Sequence, residues 1–270
     1  MKKFWTLPIA FLVLAATCSG QHDCRLGKNL FQRRSNLISA GGTQSSEGSD
    51  ATPASIELNQ INEQYFQFLM RISDAEDQAE NESACCKQSD EDPIGKIVCK
   101  FVRYLRTGKK DRRILLESVP TDSTGRDALW ALEPIAYLHA EREPANVPAL
   151  FKPSGPTTLY LNELFALALA GDGEATSMYL DLYIHSDSEH AEEMDDQLEN
   201  LFRRHLRLVL RQWDSFKTHR QALVKFSAFL SSDERRSLKS EIAKNKECAA
   251  LSEACTELKN LLNARTPLRE

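Results

Sequence analysis

The sequence predicts an all-α protein. After Pro53, apolar residues recur three or four positions apart over nearly the whole chain, which is the spacing of an amphipathic helix. No run of alternating Val, Ile, Thr and aromatic residues is long enough to require a β-sheet. Consecutive helices with short links favour antiparallel neighbours, so we expect an antiparallel helical bundle or stacked helical hairpins. The C-terminal half has a solenoid-like rhythm without a constant repeat length.

The N-terminal segment has the three parts of a secretory signal peptide. Lys2 and Lys3 give a positive start, an apolar run extends from Phe4 to Ala16, and small residues follow. At about 1.5 Å per residue this run is about 20 Å long, shorter than the roughly 30 Å hydrocarbon core of a bilayer. We therefore expect residues 1–20 to be removed on export, and the mature chain to have no transmembrane span.

Cys18 lies at the end of this segment. The stretch Leu14-Ala15-Ala16-Thr17-Cys18 resembles a bacterial lipoprotein box, which would end the signal at residue 17 and lipidate Cys18. Thr17 and Ala15 depart from the residues commonest in such a box. Cleavage after Gly20 would discard Cys18, whereas cleavage after one of the preceding alanines would keep it. The prediction is an exported protein of bacterial type, periplasmic or on the outer surface, that is either lipid-anchored or secreted.

A flexible leader is expected over residues 21–53. Its second part, residues 39–54 (SAGGTQSSEGSDATPA), contains only small and polar groups, which cannot offset the entropy lost on ordering. Such a stretch behaves as a flexible spacer, which a tethered domain needs.

Two helical subdomains are expected after the leader. The first covers residues 54–142, where Asp92 and Pro93 provide an acidic cap and a proline at the first helical position. Pro134 is expected to kink or split the last helix of this subdomain. The expected helices of this subdomain are 54–72, 93–107, 112–119 and 124–141.

A proline-rich linker separates the two subdomains. Residues 143–156 (EPANVPALFKPSGP) contain four prolines and one glycine, and the C-terminal subdomain then covers 157–270. Its expected helices are 158–170, 174–184, 186–212 and 215–230, one that follows Ser231-Ser232-Asp233, and one that carries Cys248 and Cys255 to Asn263.

The cysteines indicate an oxidising compartment. The chain has seven: Cys18, Cys24, Cys85, Cys86, Cys99, Cys248 and Cys255. If Cys18 is lipidated or discarded, an even number remains as disulfide candidates. The preferred local bridge joins Cys86 to Cys99 and would stabilise the fold by about 3 kcal/mol. Cys248 and Cys255 would lie roughly 10 Å apart on one continuous helix, so either that helix breaks between them or each has a distant partner.

The charge pattern argues against nucleic-acid binding. The formal net charge is −5, and removal of a signal carrying Lys2 and Lys3 makes the chain more acidic. Bases nevertheless predominate from Lys96 to Arg113, directly after the acidic stretch Asp74–Asp92. One interpretation is a patch for anionic lipid or polymer; the favoured one is a segment that lies against its acidic neighbour. The candidate binding residues of this segment are Lys96, Lys100, Arg103 and Arg106.

The sequence does not favour a metal site at His185 and His190. The two histidines are five residues apart, about 140° around a helix, and the HExxH arrangement is absent. The stretch Ser186-Asp187-Ser188-Glu189 instead matches a capping box that would open the next helix. We expect neither a metal nor another cofactor.

No catalytic motif can be recognised. The sequence lacks GxSxG and the lysine-bearing phosphate loop, although a carboxylate pair for glycan cleavage would leave no sequence motif.

Trp213 could be a surface anchor for a partner, or could pack the corner between two helices, which is favoured. The sequence therefore favours a non-catalytic binding module for a protein or an envelope component. The alternatives are a helical cell-wall glycan enzyme and a binder of anionic lipid or polymer.

Overall fold

The computed structural model describes residues 26–40, 52–79, 83–87, 92–109, 111–140, 155–186 and 188–263; the side chains of 84, 85, 137–140, 188 and 189 are excepted. These residues are helical and contain no β-strand, as an all-α fold requires. None of the helices in this part of the chain is both long enough and apolar enough to cross a bilayer. The chain divides into two compact units between Thr157 and Thr158. The predicted domain boundaries and the predicted bundle or hairpin arrangement stay predictions, and the linker 143–154 lies outside the described residues.

The N-terminal unit is built mainly on α2, α4, α5 and α6, which pack against one another. Its helices are α1 (26–39), α2 (Pro53–Gln78), α3 (Ala84–Lys87), α4 (Pro93–Arg106), α5 (Arg112–Ser118) and α6 (Ser123–Ala140). Thr52 caps α2, because its Oγ1 accepts a hydrogen bond from the amide of Ser55 at 3.2 Å. Pro134 lies inside α6 and does not split it. Fully buried aromatic and aliphatic side chains such as Tyr65, Phe101 and Leu129 form the core.

Helix α1 corrects the prediction of a flexible leader over 21–53. Residues 26–39 are helical and Leu30 is only 1% exposed. The compositional argument for disorder rested on residues 39–54, whereas Leu30, Phe31 and Arg34 lie three, four and seven positions after Gly27, which is the spacing of one helix face. The rest of the predicted leader before residue 26 and over 41–51 lies outside the described residues.

Gly27 and Gly95 let three elements meet at the buried side chain of Asp92. A Cβ on Gly27 would lie 2.2 Å from Asp92 Oδ2 and one on Gly95 would lie 2.6 Å from it, closer than real Cβ atoms come to other atoms. Tyr65 on α2 donates its hydroxyl hydrogen to Asp92 Oδ1. The start of α4 is thus held against α1 and α2 by contacts that need glycine at two positions.

The C-terminal unit consists of α7 to α14 and one 3-10 turn. The helices are α7 (Pro156–Leu169), α8 (Gly173–Ile184), α9 (Ser188–Arg204), α10 (Leu206–Arg211), α11 (Trp213–Thr218), α12 (Arg220–Phe229), α13 (Ser232–Lys244) and α14 (Ser252–Asn263), with the turn at Lys246–Ala249. Phe202 on α9 joins the core, since its ring lies 5.6 Å from that of Phe216 and 4.9 Å from that of Phe226. A capping box at Ser231 and Glu234 opens α13.

The long helices predicted over 186–212 and 215–230 are broken. The chain leaves the helical path at His205, Gln212 and His219, at intervals of seven residues. At each break a tighter bond to the residue three positions back replaces the α-helical one, for example from the Leu208 amide to the His205 carbonyl at 2.7 Å. These breaks divide the segment into short helices, and they place α11 and α12 against α8.

Candidate functional site

Helices α11, α12 and α14 enclose a groove on the C-terminal unit. Its volume is about 390 Å³, at the lower end of the 300–1,000 Å³ range typical of small-molecule sites. We call it the α12 groove. Its principal lining residues are Trp213, Lys217, Arg220, Leu223, Val224 and Leu261.

One face of α12 supplies the centre of the groove. Arg220, Leu223, Val224 and Ser227 follow the spacing i, i+3, i+4, i+7, which places them on one side of the helix. Leu223 is 3% exposed and joins the groove to the core, whereas Val224 is 40% exposed. The face therefore presents an accessible apolar side chain one turn away from a cation.

Trp213 is a buried wall of the groove. It is 8% exposed, and its ring stacks on that of Phe216 with 6.4 Å between the centroids. Its indole Nε1–H donates to Oε2 of Glu257 at 2.6 Å, which connects α11 to α14. This geometry is that of the corner-packing alternative; the small exposed part of Trp213 borders the α12 groove and a second cavity beside α10.

Glu257, the acidic residue that lines the groove, already has hydrogen-bonding and ionic partners within the protein. Glu257 accepts from Trp213, and its Oε1 lies 3.4 Å from Lys217 Nζ; Lys217 also lies 3.5 Å from Oε1 of Glu253. The hydrogen bond from Trp213 lowers the pKa of Glu257, and the hydrogen bond to Glu257 raises the pKa of Lys217. Both groups are therefore ionised at neutral pH, and Lys217 is paired with two carboxylates, those of Glu257 and Glu253.

Arg220, the other cation of the groove, differs from Lys217 in its contacts. It is exposed at the groove and forms no hydrogen bond or ion pair with another residue in the described part of the chain. It acts on Glu257 only through space, as one of the weaker causes that lower the pKa of that carboxyl. Its guanidinium can thus take a ligand's anionic group.

Neither a protein-family model, nor a curated protein, nor a solved structure matches the chain. Functional inference therefore depends on the geometry alone.

The predicted basic segment lies partly against its own unit. Lys100 Nζ donates to the carbonyl of Glu117 at 2.9 Å, and Arg106 Nη1 donates to the carbonyl of Glu76 at 2.9 Å. Lys96 and Arg103 are, like them, only partly exposed. Arg106 contacts the end of α2, within the acidic stretch, as expected if the segment lies against its acidic neighbour.

The two histidines considered for a metal site have separate environments. His190 is 5% exposed on α9, whereas His185 is exposed, with its Nδ1 2.8 Å from the carbonyl oxygen of Asp181. No group of three His, Cys, Asp or Glu side chains that could hold a metal ion occurs among the described residues.

The capping box predicted at Ser186 is not where α9 begins. That helix begins at Ser188, and the Ser186 hydroxyl donates instead to the carbonyl of Tyr183 at 2.9 Å. Ser186 Oγ also accepts from Lys225 Nζ at 2.9 Å. Ser186 therefore satisfies the end of α8, from a position just beyond the C-cap residue His185.

Two disulfides lie in the described part of the chain. Cys86 is bonded to Cys99, the pair preferred from the sequence, and this bond joins α3 to α4. Cys248 is bonded to Cys255 because the helix breaks between them: the 3-10 turn ends at Ala249 and α14 begins at Ser252. Cys18, Cys24 and the side chain of Cys85 lie outside the described residues.

Of the residues that line the groove, Trp213 alone is a candidate from the sequence. Arg220 and Val224 share a helix face that the spacing in RQALVKFS could have revealed. Glu257 leaves no such signal, because it meets Trp213 only through the packing of α14 on α11, 44 residues further along the chain.

Proposed function

We propose that this chain is an exported, non-catalytic binding module that takes its ligand in the α12 groove. The observation that carries the proposal is the combination of an exposed Val224 with an exposed Arg220 beside it that forms no hydrogen bond or ion pair in the described part of the chain. An accessible apolar side chain next to an unsatisfied cation, in a cavity of suitable size, is typical of a binding site.

Export is supported by the disulfides. Such bonds form and persist in oxidising compartments such as the periplasm and the cell exterior. Together with the N-terminal pattern they support a periplasmic or surface location. Attachment through a lipid on Cys18 is part of the same proposal, with secretion as its alternative.

The two alternative functions have less support. A glycan enzyme needs two carboxyl groups at an open cleft, whereas the lining of the α12 groove includes one, Glu257, which is engaged by Trp213 and Lys217. A patch for anionic lipid or polymer needs available cations, whereas Lys100 and Arg106 are bonded to carbonyl groups.

Photo-crosslinking in the native host tests the proposal. A photoreactive amino acid at position 224 should give a light-dependent adduct that mass spectrometry can identify. The same amino acid at Phe229, which is 45% exposed on the same helix but not among the groove-lining residues, is the matched control.

Two outcomes would contradict the proposal. The first is an adduct pattern at position 224 that is absent or is identical to that at position 229. The second is turnover in an unbiased hydrolase screen of the purified exported chain, if replacement of a single acid abolishes it.

A further inference from the structure

The chemistry of the α12 groove selects a class of ligand. We propose that it binds an amphiphilic carboxylate: one short acyl or similar apolar chain that carries a single anionic head. This inference rests on the proposed function and specifies the ligand of the same site.

The position for the anionic head is Arg220. Glu257 already holds the indole of Trp213 and the ammonium of Lys217, so neither of its oxygens needs a cationic ligand. Arg220 is the cation of the groove without a hydrogen-bonding partner in the described residues. A guanidinium presents two parallel N–H donors that match a carboxylate, and such charge-assisted bonds are about twice as strong as neutral ones.

The position for the apolar chain lies along the same helix face. Val224 follows Arg220 by one turn, Leu223 forms the floor, and Leu261 of α14 lines the opposite side. A ligand whose head contacts Arg220 can therefore bury its chain on Val224 and Leu261. Removal of apolar surface from water on both partners favours binding.

The size of the groove limits the ligand. A volume of about 390 Å³ is small among ligand sites and suits one short chain better than a multi-chain lipid. Trp213 closes one wall and is held there by Glu257, so this wall is formed before a ligand arrives. The structure thus provides a cation, an apolar path and a preformed wall.

The test uses decanoate, below its micelle-forming concentration, as the probe. Titration calorimetry on the exported chain should show saturable binding of one decanoate. Decylamine, which has the same chain and the opposite charge, and acetate, which has the charge without the chain, should each bind at least about tenfold more weakly, the loss expected when one charge-assisted hydrogen bond or the apolar contact is removed.

Matched variants assign the binding to the groove. Arg220→Gln should weaken decanoate binding at least about tenfold, and Val224→Glu should abolish it, because a second carboxylate repels the probe. The controls are Arg236→Gln, which replaces an exposed arginine of α13 that pairs with Asp233, and Phe229→Glu, both of which should bind like wild type. Since Arg220 and Val224 are exposed, the variants should keep the wild-type circular dichroism spectrum.

Two results would contradict the proposed ligand. Equal binding of decanoate and decylamine, with no effect of Arg220→Gln, would overturn the carboxylate assignment. An absence of decanoate binding to the wild-type chain would overturn the ligand class. Neither result affects the adduct expected at position 224, so failure of this inference is distinguishable from failure of the proposed function.

Discussion

At the scale of single residues, the described part of each unit contains a buried tyrosine bonded to a buried aspartate. Tyr65 donates to Asp92 in the N-terminal unit, and Tyr183 donates to Asp195 in the C-terminal unit. Burial raises the pKa of both aspartates, although the hydrogen bond from tyrosine acts in the opposite direction. The hydrogen bonds offset part of the cost of a buried charge and do not remove it.

Asp195 also lies near Lys225, whose ammonium group donates to a carbonyl group at the C-terminal end of α8. Lys225 Nζ donates to the carbonyl of Tyr183 at 2.7 Å and lies 4.7 Å from the centre of the Tyr183 ring. Its positive charge lowers the pKa of Asp195, and the neighbouring Asp196 and Glu192 raise it. The upward shift caused by burial remains the largest effect.

The raised pKa of Asp195 predicts a pH-dependent stability. The folded chain keeps the Asp195 proton to a higher pH than the unfolded chain, whose carboxyl titrates near 3.8. The folded state therefore binds more protons in the interval above 3.8, and the stability contributed by this group falls as the pH rises through it. Asp195→Asn cannot titrate but can still accept the Tyr183 hydrogen bond, so we expect the stability of the variant relative to wild type to increase as the pH rises above 3.8.

Urea unfolding at several pH values measures this effect. The variant-minus-wild-type difference in unfolding free energy should increase with pH for Asp195→Asn. It should stay constant for the control Asp214→Asn, whose side chain is exposed on α11. A difference that is constant or that decreases for Asp195→Asn would refute the argument.

At the scale of elements, the sequence predicts a helix well where its ends carry chemical signals. Asp92 with Pro93 predicts the start of α4, and Gly108, whose φ is +66°, follows the end of the same helix. The breaks at His205, Gln212 and His219 carry no such signal, because none of these residues is a helix breaker by itself. There the packing of Phe202, Phe216 and Phe226 favours short helices over local propensity.

The Cys248–Cys255 disulfide is another element whose geometry depends on a helix break. Its two Cα atoms are 5.7 Å apart, whereas a continuous helix would separate them by roughly 10 Å. The bond therefore excludes a continuous helix through this segment. It also joins the turn before α14 to the helix that carries Glu257 and Leu261 of the groove.

Removal of this disulfide should destabilise the C-terminal unit. For the double variant Cys248→Ser/Cys255→Ser we expect a loss of about 2–3 kcal/mol in unfolding free energy, as the loop-entropy model gives for a short loop. Urea unfolding followed by tryptophan fluorescence measures it. In addition, decanoate should bind more weakly, because α14 is no longer held in place.

The second disulfide provides the control for this prediction. The variant Cys86→Ser/Cys99→Ser should lose stability in the N-terminal unit without a change in decanoate binding, since the groove lies wholly in the other unit. Equal effects of the two double variants on decanoate binding would contradict the assignment of the groove to α11, α12 and α14.

At the scale of the whole molecule, the sequence predicts the fold class better than it predicts the site. The spacing of apolar residues that indicates helices can be read along the chain. The groove forms through contacts between residues far apart in sequence, such as Trp213 with Glu257. The same packing decides which charged side chains of the groove have hydrogen-bonding partners within the protein. Of the groove residues, Trp213 alone was among the candidates, because a tryptophan at a helix end is noticeable without any structure.

The compartment leads to a prediction that concerns the whole chain. We expect the protein isolated from its native host to be smaller than the 30.5 kDa of the full sequence, because the N-terminal signal is removed, and to carry a lipid if cleavage leaves Cys18 at the N-terminus. Reduction should add two hydrogens for each disulfide, including those of Cys86–Cys99 and Cys248–Cys255. Intact mass measured with and without a reductant reports all three properties together. A full-length mass that does not change on reduction would contradict export, because a chain with an uncleaved signal and unpaired thiols is expected of a reducing compartment.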